Sequence, residues 1–153
     1  SLLGRPRYTV DLDAVILINL SEIPRLLQSA SNLGFEPRIQ DAEAFARKNR
    51  VLLLQHFASG IDVDISLGIL PFEIEMVERS TVVQVDPIEL RLPTPEDLII
   101  LKAVAGRRKD FDDIQAIAAR NPDLDKERIR HWVEQFGEAL EEPELWERIA
   151  RLL

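Results

Sequence analysis

The chain contains no cysteine, which excludes disulfides and thiolate metal sites. It has only two histidines, so a bound metal would be held mainly by oxygen ligands, favouring a hard ion such as Mg2+ over structural zinc. There is no run of about 18 apolar residues, so no transmembrane helix is expected. The opening SLLGRPR is too short for the apolar region of a signal peptide. A cytoplasmic protein with no membrane partner is the expectation. Glycine is sparse, with six in the chain, and none forms a phosphate-binding loop; no nucleophile elbow or zinc motif is present either. The formal charge is −8, which argues against a broad basic surface for nucleic acid.

What is present fits one folded domain. A chain of 153 residues, 46% hydrophobic, buries about 70% of the surface exposed by its unfolded form. It does not begin with Met and enters its first strand almost at once. The natural protein is therefore expected to continue upstream.

That first strand spans about residues 8–18. Val10, Leu12, Ala14, Ile16 and Ile18 lie on one face; Thr9, Asp11, Asp13, Val15 and Leu17 lie on the other. Residues i and i+2 of a strand point the same way. Asp11 and Asp13 therefore leave one face side by side, where like charges repel unless a cation lies between them. A strand apolar on both faces predicts a central position in a sheet covered by helices, with the aspartates at its solvent-facing end.

A helix is predicted over about 22–33, with Ser21 as N-cap and Gly34 as terminator, and a short one over 41–48. Residues 51–57 and 61–67 predict a hairpin around Gly60. In its second arm Asp62, Asp64 and Ser66 share a face. If that arm neighbours the first strand, up to four carboxylates converge, and two Mg2+ ions held there would serve in-line displacement at phosphorus. The competing reading is a solvated edge strand. A short helix fits 71–79, and 81–86 reads as a strand that 88–92 continues past Pro87. From Thr94 the pattern becomes helical: 94–105, 107–120 up to Asn121-Pro122, 125–140 and 143–153. The division is an αβ core over 1–92, its N-terminal part missing, and a helical segment over 93–153 packed on it within the same domain.

Further charged groups stand out. Lys102, on a helix with mostly apolar neighbours, would reach a phosphate by extending from the core; the alternative is a solvated lysine. Arg107, Arg108 and Lys109 form a basic cluster. Asp110 and Asp113 lie three apart on one helical face; compensation of the helix dipole by Asp110, Asp112 and Asp113 also accounts for them. Arg5 and Arg7 flank the first strand, where they would balance phosphate charge, although exposed loop arginines are common. His56, on an apolar strand, reads as a structural histidine, and His131 as exposed.

The segments RPRYTVDLD, IDVDISLG with LPFEIEMVERS, and LPTPEDLIILKAVAGRRKDFDDI, in that order, resemble the minimal nucleotidyltransferases of the DNA polymerase β superfamily. Their nearest likeness is to the AbiEii-like group of toxin–antitoxin and phage-defence systems. The resemblance covers about residues 4–114. It implies an α/β fold of the α+β type: a mixed, nucleotidyltransferase-like β-sheet flanked by helices. It implies that Asp11, Asp13 and Asp64 are the catalytic, metal-binding carboxylates, Asp64 matching the third position better than Asp62. Lys102 corresponds to the lysine that contacts nucleotide phosphates, and Asp110 to an acidic residue near the active site; with Arg7 they form the implied nucleotide-binding set. The implied reaction moves a nucleoside monophosphate from an NTP to a hydroxyl on an RNA end, a protein or a small molecule, with two Mg2+ ions, and a cognate toxin or antitoxin as partner. The family's Gly-Gly or Gly-Ser motif before the first strand is absent from this sequence. That departure keeps open a second reading, a non-catalytic interaction module such as an antitoxin or a scaffold.

Overall fold

The computed structural model describes residues 11–153, which divide into two compact units between Val77 and Glu78. Arg5 and Arg7 lie outside the described residues.

The first unit runs β1 (Asp11–Ile16), a 3-10 turn (Leu20–Glu22), α1 (Ile23–Asn32), β2 (Phe35–Pro37), α2 (Ala42–Asn49), β3 (Val51–His56) and β4 (Asp62–Leu67). α3 (Pro71–Arg79) crosses the boundary. The strands form one mixed sheet in the order β1-β4-β3-β2. β1 is parallel to β4, and β3 is antiparallel to both β4 and β2. This is the expected α+β architecture.

Two-residue alternation divides the sheet into unlike faces. On one, Leu52 and Leu54 of β3 and Leu67 of β4 pack with Ile23 of α1 and Ala46 of α2. Ile16, Val63, Ile65, Leu26, Leu27 and Phe35 extend that core. The opposite face carries the aspartates.

Two sequence expectations are corrected here, and one strand is added. β1 is not central: among the described residues it is an edge strand, paired only with β4. Leu12 on its apolar side is 52% exposed, because packing on β1 begins only near Ala14. The first helix is entered not at Ser21 but through the 3-10 turn, where the Asn19 N–H donates to the Glu22 carboxylate at 2.9 Å. The three-residue β2 is new. It contains Pro37, which cannot donate to a ladder and so suits the far edge of the sheet. Gly34, with φ +82°, follows α1 as expected.

The second unit opens with a hairpin, β5 (Thr81–Val85) and β6 (Ile88–Leu92). The expected continuation past Pro87 is instead a reversal: Val85 pairs with Ile88, leaving Asp86-Pro87 as a two-residue turn. Four helices follow: α4 (Pro95–Ala105), α5 (Arg108–Arg120), α6 (Lys126–Ala139) and α7 (Leu145–Ala150). Thr94 caps α4 by accepting from the Asp97 N–H at 3.3 Å, and Gly106 ends it at φ +62°. Ile99, Ile100, Ala103, Ile114, Ile117, Ile129, Val133, Leu145 and Ile149 are buried on the helices. Among the described residues no helix is long and apolar enough to cross a membrane.

Gly137 sits inside α6, where alanine would ordinarily be worth up to about 1 kcal/mol. Here a Cβ would come within 2.9 Å of the Glu142 carbonyl oxygen, which is backbone and cannot swing aside. Gly137→Ala is therefore expected to destabilise by about 1–3 kcal/mol, read as a lower urea midpoint. A raised midpoint would contradict this packing.

Candidate active site

The parallel pairing of β1 with β4 sets Asp11 opposite Asp62 and Asp13 opposite Asp64. Paired strands lie about 4.8 Å apart, and residues two apart along a strand about 6.6 Å. The four aspartates thus occupy the corners of a small rectangle on one face of the sheet. Asp11 and Asp13 are exposed, and Asp62 and Asp64 half-buried. Sequence alternation places each pair on one face; the β1–β4 pairing then joins the two pairs.

A cation already serves half of this face. Arg38, just after β2, donates from Nη1 to Asp62 Oδ2 at 3.0 Å and from Nη2 to Asp64 Oδ1. Its backbone N–H donates to the Leu53 carbonyl at 2.9 Å, and Leu53 is the register partner of Asp64. The guanidinium therefore crosses β3 to reach β4. Asp62 also accepts from Gln55 Nε2 at 2.8 Å. Among the described residues, no three carboxylate or imidazole groups are gathered as they stand to hold a metal ion. The donor chemistry nonetheless fits a hard divalent cation: every donor is a carboxylate oxygen, and the face already draws a guanidinium onto itself.

Lys102 and Asp110 lie in the second unit. Lys102 Nζ is 2.7 Å from Asp113 Oδ2 and 3.6 Å from Asp110 Oδ1, with only 19% of its side chain exposed. It is neither solvated nor extended into water, but ion-paired between α4 and α5. Asp110 is fully buried. It accepts from the Arg107 backbone N–H at 3.1 Å and from Arg107 Nε at 2.7 Å, closing the first turn of α5 on itself. Asp110 and Asp113 share a helical face as the spacing predicts, and that face points at Lys102. Asp112 is exposed.

The sequence also concealed a third buried acid. Asp97, in the first turn of α4, is fully buried. Its Oδ1 accepts from Arg128 Nε at 2.8 Å, and its Oδ2 lies 3.7 Å from Arg79 Nε. α4 is thus tied to α6 by one buried carboxylate and to α5 by one lysine. His56 is structural as expected: Nδ1 lies 2.8 Å from Ser59 Oγ, and the ring packs against Phe35. His131 contacts Gln135 at the surface.

Residues 49–151 match the family described as nucleotidyl transferase of unknown function (DUF2204), and the chain belongs to that family. No curated protein matches the chain. The matched span contains Asp62, Asp64, Lys102 and Asp110; Asp11 and Asp13 on β1 precede it.

Burial alone would raise the Asp110 pKa. The hydrogen bond and charge of Arg107, together with the charge of Lys102, outweigh it and hold the group below the ordinary aspartate value of 3.8. A depressed carboxylate pKa contributes stability that is complete above the unfolded-state value and is lost as pH falls through the folded value. Asp110→Asn is expected to lose about 1–3 kcal/mol near pH 7. Denaturation measured across pH should show that gap constant down to about pH 5 and shrinking below about pH 4. A gap that stays flat through the acid range would contradict the Arg107–Asp110–Lys102 arrangement.

Proposed function

We propose that the chain is the core of a Mg2+-dependent nucleotidyltransferase of the polymerase β superfamily, AbiEii-like in type. It moves a nucleoside monophosphate from an NTP to a hydroxyl acceptor. The single observation that carries this reading is the β1–β4 register, with Asp13 opposite Asp64 and Asp11 opposite Asp62. The membership of the chain in a nucleotidyl transferase family supports it.

In this reading Asp11, Asp13 and Asp64 hold the metal. When bound, Mg2+ would neutralise phosphate charge and stabilise the leaving oxygen. The acceptor oxygen attacks the α-phosphorus, the bond to the bridging oxygen breaks and pyrophosphate leaves. Asp64 takes the hydroxyl proton. Lys102 and Arg7 meet the phosphates as cationic donors, and Lys102 must exchange its bond to Asp113 for one to a phosphate oxygen. Buried Asp110 serves by holding Lys102 and Arg107 in place. The acceptor is an RNA end, a protein or a small molecule, and the setting is a cytoplasmic toxin–antitoxin pair with a cognate protein partner.

One observation favours the other reading, a non-catalytic interaction module: Asp64 and Lys102 both already have protein partners. Nucleotide transfer measured on the parent beside Asp13→Asn decides between them. The asparagine variant should lose nucleotide transfer from α-labelled NTP while its stability stays within about 0.5 kcal/mol of the parent. Full transfer by that variant would remove Asp13 from the mechanism, and absence of transfer from every NTP in the parent would favour the interaction module.

A further inference from the structure

Arg38 carries no role in the proposed mechanism, yet it pairs with two of the four carboxylates on this face. Its position follows from local structure. β2 ends at Pro37, and the next N–H bonds to the Leu53 carbonyl, fixing the Arg38 backbone beside β3. From there the side chain spans two carboxylates on one edge of the rectangle, one through each terminal nitrogen. A guanidinium fork is suited to such a bridge, whereas a lysine would be a single point charge.

The two carboxylates are held unequally. Asp62 has a second donor in Gln55, so it remains satisfied if Arg38 leaves. Asp64 has only Arg38 as a partner among the described residues. Asp64 is also the register partner of Asp13, placing it where a cation bridging β1 and β4 would bind. The side chains involved are about one-third exposed, so the bond is open to exchange with solvent ions rather than locked in a core.

We propose that Arg38 is the resident counter-cation of this face: it bridges Asp62 and Asp64 and offsets part of their charge when no metal is bound, and it gives up Asp64 when a divalent cation enters between β1 and β4. Ion pairing at Asp64 and metal binding at Asp64 are then mutually exclusive. The fold can keep four aspartates together without metal, and its affinity for metal is weakened by its own arginine. The inference rests on the proposed metal role of Asp13 and Asp64. Arg38 is a positioning residue here, since it acts through Asp64.

The test is calorimetric titration with Mg2+ alone, beside thermal unfolding with and without Mg2+, on the parent chain, Arg38→Gln and Asp13→Asn. Arg38→Gln should bind Mg2+ about 2- to 10-fold more tightly, the range expected for removing a competing, partly exposed ion pair. Without metal it should melt lower than the parent, and Mg2+ should raise its melting temperature by more. Unchanged or weaker Mg2+ binding in Arg38→Gln, with binding still lost in Asp13→Asn, overturns the Arg38 proposal and leaves the metal site standing. No Mg2+ binding by parent or Arg38→Gln overturns both. If the glutamine variant does not fold, Arg38→Lys carries the same test. It keeps the charge but cannot bridge both carboxylates, so tighter binding supports the proposal and equal or weaker binding overturns it.

Discussion

Four like charges on one side of a sheet are the constraint on which the first unit depends. Strand pairing forces Asp13 and Asp64, and Asp11 and Asp62, to within about a strand spacing of each other. Nothing in the apolar core requires this: the opposite face of the same strands is closed by Ile23, Ala46, Leu52, Leu54 and Leu67. A sheet surface used only to meet solvent would be more stable with mixed or neutral residues, because like charges directly opposite one another across strands are destabilising. The arrangement is comprehensible if a cation completes it, with Arg38 and Gln55 sustaining the second pair meanwhile.

The helical unit handles its acids by the opposite route. Asp97, Asp110 and Asp113 are buried, and each is matched to a cation: Arg128, Arg107 and Lys102 respectively. Buried pairs of this kind contribute little net stability, but losing one partner leaves an uncompensated charge and is costly. They join α4 to α5 and α6 at defined points, around the apolar contacts of Ile99, Ile100 and Ala103. The two units therefore display two solutions to carboxylate charge: internal pairing, and exposure on a face that draws in a single arginine, Arg38.

Much of the site could be read from residues, and the limits are physical. The i, i+2 spacing of Asp11 with Asp13 and of Asp62 with Asp64 is enough to place each pair on a face. Whether those strands are neighbours depends on the path of α1, β2 and α2, which no local pattern encodes. Arg38 was missed because its partners lie 24 and 26 residues away and β2 is too short to show alternation. Lys102 was visible as a lone cation among apolar residues, but periodicity cannot tell whether such a group meets a ligand or an acid on the next helix. The helices from Thr94 onward were legible in the helical pattern that begins there and breaks at Asn121-Pro122. The β5–β6 reversal was not, because an apolar β-rich run on either side of a proline also fits one interrupted strand.

The most direct test of the account is where a divalent cation binds. Mn2+ added at substoichiometric levels to isotope-labelled protein should selectively broaden the backbone amide signals of residues 11–14 and 62–65, and excess Mg2+ should reverse the effect. Broadening centred elsewhere, on the acidic stretch around Glu141, Glu142 and Glu144 for example, or spread evenly over the acidic surface, would contradict the claim that the aspartate face is the cation site of this member of a nucleotidyl transferase family.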